Sequence, residues 1–379
     1  MPAVLGGSYG LWQATEKQLD GVWPTQVYVP VAPMYLWSWG RNAYGVLGLG
    51  DTTNRSSPNQ VGALSNWLSL AAGRYHVTAI KNDNTLWSFG QNSSGQLGLS
   101  DTTNRSSPTQ IGTLTTWAAV SCGDSHSLAL KTDGTLWAWG SAGSGQLGQG
   151  NTTAYSSPKQ IGALTTWASI GTGGANSFAI KTDGTLWAWG NNYYGQLGFN
   201  NRTYCSSPVQ LGALTNWSKI DSGDHHTMAI KTDGTLWGWG SGNQGQTGTT
   251  AASSPVQVGA LTDWATISIT YLSSSAIKTD GTLWTWGAGD QGQLGLGSTT
   301  NRGSPVQVGA LTTWSKVSLG QFHGIAVRTD GTLWTWGFNA QGQLGIDNTT
   351  YFSSPKQVGS LTTWLNVTAG YRHSLAISS

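Results

Sequence analysis

Gly134-Thr135-Leu136-Trp137-Ala138-Trp139-Gly140 is the stretch on which the reading of this chain turns. Its core, Leu-Trp-x-Trp-Gly, recurs from Leu36, Leu86 (with Phe89 in place of the second Trp), Leu186, Leu236, Leu283 and Leu333. Successive copies are 50, 50, 50, 50, 47 and 50 residues apart. A fixed period of that length marks a repeat architecture, in which each period is one supersecondary unit that buries its apolar face only against its neighbours.

One unit runs from Leu164 to Gly212. Trp167-Ala168-Ser169-Ile170 and Ser177-Phe178-Ala179-Ile180 are short alternating runs and predict strands. Asp183-Gly184 signals a tight hairpin, because Gly tolerates positive φ and Asp bonds its own backbone. Thr185 to Trp189 predicts the third strand, a Gly-rich loop follows from Asn191 to Gly198, and Val209-Gln210-Leu211 predicts a short fourth strand with Pro208 at its start. Four strands per repeat, seven repeats and no helical period predict an all-β, seven-bladed β-propeller of four-stranded blades. The chain ends decide against an open solenoid. The last unit stops at Ser379 where a hairpin is due, and the first begins at Tyr35 without its opening strands. Residues 361–379 and 35–62 therefore complete one blade between them, whereas a solenoid needs polar caps.

Of the 22 Trp, all but Trp12 and Trp23 fall at repeat positions, which assigns them to packing rather than to ligand stacking. Residues 1–34 lie outside the clean period, and Pro24, Pro30 and Pro33 suit an extended arm, read here as a docking segment. Charged residues make up only 9%, with a net charge of +2, which argues against nucleic acid as a partner. Cys122 and Cys205 form neither a disulfide framework nor a metal set. A basic region followed by an apolar signal core is not found at Met1 to Gly10, and no apolar run is long enough to span a membrane, so a soluble protein of a virion or of a microbial cytoplasm is expected.

The unit from Gly123 to Gly148, Gly-x-x-His-Ser-x-Ala-Leu-Lys-Thr-Asp-Gly-Thr-Leu-Trp-x-Trp-Gly followed by Gly-Gln-Leu-Gly, resembles the regulator of chromosome condensation repeat. The resemblance covers residues 35–379 and implies that family's seven-bladed propeller. It also implies, through the family's founder, a chromatin-bound nucleotide-exchange factor for a small GTPase. This chain departs from the founder: no repeat carries a large insertion, and the N-terminal arm holds one Lys and no Arg.

Comparison among the repeats separates what a blade needs from what it leaves free. The Gly-x-x-His position holds His76, His126, His226, His323 and His373, with Asn176 and Ser273 in the other blades. Seven-fold placement sets these imidazoles around one channel mouth. They would form a metal, anion or pH-sensitive site there, or, as the two vacant blades favour, each would bond nearby backbone and hold its own blade. The freest stretches are the two loops after Trp-Gly, with Tyr44, Tyr193, Tyr194 and Phe338 in the first and Tyr155, Tyr204, Tyr351 and Phe352 in the second. These aromatics are the candidate binding residues. Asp83, Asp133, Asp183, Asp233, Asp280 and Asp330 are explained by the hairpin turn, and no catalytic motif, metal set or cofactor fingerprint stands out. The expectation is a non-enzymatic binding or scaffold propeller in a larger phage or cell-surface assembly. The alternatives are an exchange factor for a small GTPase and a carbohydrate-binding lectin.

Overall fold

The computed structural model describes residues 33–379; the arm expected over residues 1–34 lies almost wholly outside them. The described chain forms seven four-stranded antiparallel sheets. Blade 1 combines Tyr35–Gly40 and Arg55–Gln60 with Trp364–Ala369 and His373–Ser378. Its two halves pair from Tyr35↔Ser378 to Gly40↔His373, so the ring closes within one sheet. Blades 2 to 7 follow in chain order, beginning at Trp67, Trp117, Trp167, Trp217, Trp264 and Trp314.

Blade 4 shows the common plan: Trp167–Thr172 innermost, then Asn176–Lys181, Leu186–Gly190 and Cys205–Gln210 at the rim. The outer strand starts earlier than the sequence suggests, and Pro208 sits inside it. It is tolerated because this is an edge strand whose register breaks between Ala188 and Gly190, so no ladder bond is lost at the proline.

The tryptophans pack as three sets. The second Trp of each Leu-Trp-x-Trp, such as Trp139 and Trp189, is fully buried, as are those opening the innermost strands, such as Trp117 and Trp167. The first Trp of the motif is half-buried and, in blades 2 to 7, covered from outside by a cation: Lys131 Nζ lies 3.7 Å over Trp137 and Lys181 Nζ 3.7 Å over Trp187.

Between blades, one polar clamp recurs. Trp139 Nε1 and the Ser127 hydroxyl of blade 3 both donate to the Gln96 carbonyl of blade 2, at 2.9 Å each. Because that hydroxyl has spent its proton, it must accept from His76 Nε2–H of blade 2, 3.0 Å away. The same His–Ser pair joins His126 to Ser177, His226 to Ser274 and His323 to Ser374, at 2.9, 2.7 and 2.9 Å. Thus each of these imidazoles is buried and grips a side chain of the next blade. All five imidazoles of the sequence reading are buried, and in these four the partner is a side chain of the next blade where backbone of the same blade was expected. The Gly of Gly-x-x-His makes the room: a Cβ at Gly123 would lie 2.2 Å from His126 Cε1 and 2.5 Å from the Gly173 carbonyl.

Where the histidine is replaced, the rest of the clamp persists in part: Trp336 Nε1 donates to the Gln293 carbonyl at 2.8 Å between blades 7 and 6, and beside Asn176 the Thr227 hydroxyl and Trp239 Nε1 both donate to the Gln196 carbonyl at 2.8 Å. At the junction of blades 6 and 7, Thr270 and Ser273 replace the Gly and His, and Gly324 replaces the partner Ser. At the junction of blades 1 and 2, Val46, Val77 and Phe89 replace Gln, Ser and Trp, and all three sit in one apolar cluster. That accounts for Phe89, the one departure from the opening motif.

Two outcomes follow for stability. Gly123→Ala should cost about 1–3 kcal/mol, as overpacking does, read from chemical denaturation. Burial pushes the His76 imidazole down to about 4 and those of His126, His226, His323 and His373 to about 3. A second proton would enter at Nδ1, which has no acceptor in the four clamped histidines. The unfolded chain therefore takes up protons first. Stability is full above the ordinary imidazole value of 6.5 and is lost as pH falls from there toward 3. His126→Asn, following the natural Asn176, should lower the melting temperature at neutral pH yet shrink its drop on acidification to about pH 5.

Candidate functional site: the channel mouth

In every blade the innermost strand runs toward the Gly-x-x-His turn and the third strand runs toward the long loop after Trp-Gly, so both open on one face. The opposite face carries the hairpins and the connections with half-exposed Leu64, Leu114, Leu164, Leu214, Leu261, Leu311 and Leu361. On the first face, the two residues inside Gly-x-x-His differ in each blade: Arg74-Tyr75, Asp124-Ser125, Gly174-Ala175, Asp224-His225, Tyr271-Leu272, Gln321-Phe322 and Tyr371-Arg372. All seven first members, Arg74, Asp124, Gly174, Asp224, Tyr271, Gln321 and Tyr371, rim a channel cavity of about 480 Å³.

Aromatic side chains from blades 7, 1 and 2 form a continuous arc beside that mouth. Successive ring centroids are 4.6 Å apart for Tyr351 and Phe338, 5.9 Å for Phe338 and Phe322, and 6.5 Å for Phe322 and Tyr371. The arc continues at 5.4 Å to Tyr75 and 5.5 Å to Tyr44. A second run joins Tyr193, Tyr194, His225 and Tyr271 at 4.9, 4.2 and 4.8 Å. Of the loop aromatics singled out by sequence, Tyr44, Tyr193, Tyr194, Phe338 and Tyr351 thus converge on this face. Tyr155 and Phe352 instead open outermost strands and lie against Lys159 and Lys356, while the Tyr204 hydroxyl accepts from Asn191 Nδ2 at 3.2 Å. The residues that sequence reasoning missed, Tyr75, His225, Tyr271, Phe322 and Tyr371, carry a signal that was in view. They are the variable pair inside an otherwise repeated turn.

Tyr44 owes its direction to the blade junction. In the equivalent loops a Gln side chain accepts the backbone N–H two residues before it, as Gln96 does from Ser94 and Gln196 from Tyr194, both at 2.8 Å. Val46 cannot, and Tyr44 takes φ +64°. That left-handed turn costs about 1 kcal/mol or more for a non-Gly residue and accompanies the edge-on contact with Tyr75.

Charge at the mouth is divided. Arg74 pairs with Asp124 at 3.3 Å. Asp224 stands across Gly174, where a Cβ would meet its Oδ1 at 2.7 Å, so a side chain at 174 would displace it. Burial pushes both carboxyl groups up, the Asp124 charge pushes Asp224 further, and Arg74 pulls both back. Deeper in the channel, Asp221 Oδ2 accepts the Ile269 N–H of blade 6 at 2.8 Å, the bond that the Ser268 hydroxyl makes to Leu319 one blade on. Burial pushes Asp221 up to about 7. No group of three or more metal-ligating side chains occurs among the described residues.

The repeat profile described as the regulator of chromosome condensation (RCC1) repeat matches residues 35–80, 83–130, 133–180, 183–230, 280–327 and 330–377. The chain belongs to the RCC1 repeat family. A second profile of the same family matches residues 67–96, 117–146, 167–196, 217–246 and 314–343. Among solved structures, Prp20p of Saccharomyces cerevisiae, reported with its binding to Gsp1p and histones, superposes with a TM-score of 0.83 at 22% identity, over 93% of this chain and 92% of that one. Human WBSCR16 gives 0.80 at 20% identity, over 91% and 100%. Yeast RCC1 (Prp20) in complex with Kap60 gives 0.82 at 21%, over 98% and 96%. At these identities the likeness is one of fold. No curated protein matches by sequence. No helix among the described residues is long and apolar enough to cross a membrane.

Asp221→Ser keeps a hydroxyl for the Ile269 N–H, as Ser268 does naturally. A carboxyl raised in the fold binds its proton more tightly there than in the unfolded chain, so its burden is absent below the ordinary value of 3.8 and grows as pH rises toward 7. The variant's melting temperature minus that of the wild type should therefore be more positive at about pH 8 than at about pH 5.

Proposed function

We propose that this protein is a non-enzymatic binding propeller that engages a protein partner through the channel-mouth face. One observation carries the reading: the aromatic arc is built from turn and loop positions that vary from blade to blade while the clamp and core positions repeat. Its chemistry, tyrosine, phenylalanine and arginine held by one another, is that of interface centres. Such side chains present large, stiff contact area, and each ring pair or cation–ring pair adds about 0.5–1.5 kcal/mol of mutual support. The face is thereby set before a partner arrives, which lowers the ordering cost of binding.

Family membership supports a binding propeller, with exchange on a small GTPase as the activity to test once a partner is known. It lends nothing to a place in a virion, and the proposal stands without one. Because Prp20p binds Gsp1p and histones, counterparts of these are the first baits, followed by extract of the native source.

The test replaces Tyr75, Phe322 and Tyr371 together by Ser, with Leu114→Ser and Leu214→Ser on the opposite face as the control. Partner retention should fall at least about tenfold, or about 1.4 kcal/mol, for the first variant and stay unchanged for the control, with melting temperatures measured on both. Loss of retention in the control alone would move the binding surface to the other face.

A further inference from the structure

The arc is cationic as well as aromatic, and of its three arginines only Arg74 is ion-paired, with Asp124 at 3.3 Å. Arg41 N–H donates to the Arg372 carbonyl at 2.9 Å, which holds these two residues of blade 1 side by side. The Arg41 guanidinium lies 5.3 Å over Tyr75, and that of Arg372 lies 5.2 Å from the Phe338 ring and 5.3 Å from Tyr371. Arg74 joins them, 4.7 Å from Tyr371 and 5.6 Å from Tyr75. Three arginines outside the arc have carboxylates at hand, Arg55 with Asp51, Arg105 with Asp101 and Arg328 with Asp330, whereas Arg202 and Arg302 stand singly on other blades without an ion pair among the described residues. Among the described residues, neither Arg41 nor Arg372 forms an ion pair. In a chain with only 9% charged residues, what sets this pair apart is that two arginines without an ion pair share adjacent backbone and the same rings.

The blade does not call for them. The position of Arg41 holds Gln91, Ser141, Asn191, Ser241, Ala288 and Phe338 in the other blades. The position of Arg372 holds Tyr75, Ser125, Ala175, His225, Leu272 and Phe322. Held over aromatic rings, a guanidinium keeps N–H groups for a carboxylate fork, and the rings beside it keep water from one side of the pair.

We propose that Arg41, Arg74 and Arg372, with Tyr75, Phe322 and Tyr371, form a docking surface for an acidic polypeptide segment in which Glu or Asp alternates with apolar side chains. This deepens, and rests on, the reading of the face as protein-binding. A polypeptide fits better than a nucleic acid. Discrete carboxylates can meet three guanidiniums spaced by rings, whereas a phosphate track calls for a longer run of cations. It would also cross the carboxylates Asp124 and Asp224 at the same mouth.

The experiment uses the full chain and fluorescein-labelled probes of equal length: peptides of the same Phe and Leu content carrying Glu, Lys or no charge, and single-stranded DNA. Fluorescence anisotropy at low and physiological salt reads the affinity. The Glu peptide should bind at least about tenfold more tightly than the Lys peptide, with the difference shrinking as salt rises. Arg41→Gln with Arg372→Gln should remove that preference, and Arg41→Glu with Arg372→Glu should turn it toward the Lys peptide, which a merely unfolded variant would not do. Absence of a Glu preference, tighter binding of the DNA, or a preference that survives both double variants would overturn the proposal. If uncharged peptide binds and is lost with the Tyr75, Phe322 and Tyr371 replacements, the acidic specificity alone fails. If those replacements also leave partner capture intact, the binding-face reading fails with it.

Discussion

No strand ladder crosses from one blade to the next, so each junction is closed by side chains together with isolated backbone bonds, such as Trp167 N–H to the Gly134 carbonyl at 3.2 Å and Gly150 N–H to the Ser206 carbonyl at 2.7 Å. The recurring solution is a carbonyl shared by two donors, the Gln96 oxygen taking both the Trp139 indole and the Ser127 hydroxyl, with His76 donating to that hydroxyl from behind. Every member is buried, and a buried polar group without a partner costs about 1–3 kcal/mol, so a change at one position weighs on the groups it leaves behind. The glycine ahead of each histidine belongs to the same constraint, since its missing Cβ leaves the space that the imidazole and the next blade's carbonyl fill.

The exceptions show how a junction adapts when members of the set change. At the closing junction, three residues change together from polar to apolar, and Val46, Val77 and Phe89 pack where Gln, Ser and Trp would bond. The cost appears at His373, whose Nε2 is left without a partner. A local effect also reaches the surface: without a Gln side chain to accept a backbone N–H, the loop of blade 1 turns at Tyr44 through positive φ, beside Tyr75. Packing at a junction thus shapes the face that carries the candidate binding residues.

That face divides its chemistry around the channel. Blades 7, 1 and 2 contribute rings and guanidiniums, and blades 3 and 5 contribute carboxylates that burial makes reluctant to ionise together. One ring of pseudo-equivalent turns supplies both, because the clamp needs the Gly and the His but makes no demand on the two residues between them. The fold holds a constant frame and leaves a pair of positions per blade to be spent on recognition.

Much of this was legible in the sequence. The period of Leu-Trp-x-Trp-Gly, the Asp-Gly hairpins and the two half-units at the ends determine seven four-stranded blades and how the ring closes, because these depend on local turn chemistry and on apolar spacing that repeats. The same comparison of repeats separates the positions a blade needs from those it leaves free. Tertiary structure alone decided which free positions meet. Tyr75 and Tyr371 lie at opposite ends of the chain yet stack at 5.4 Å, whereas Tyr155 and Phe352, equally free in sequence, are turned to the rim. It also decided that four of the five histidines grip a side chain of the next blade. A period states where a residue sits within its blade. The direction of its side chain, and the neighbour it meets across a junction or a channel, follow from backbone angles and ring closure that exist only once the blades are assembled.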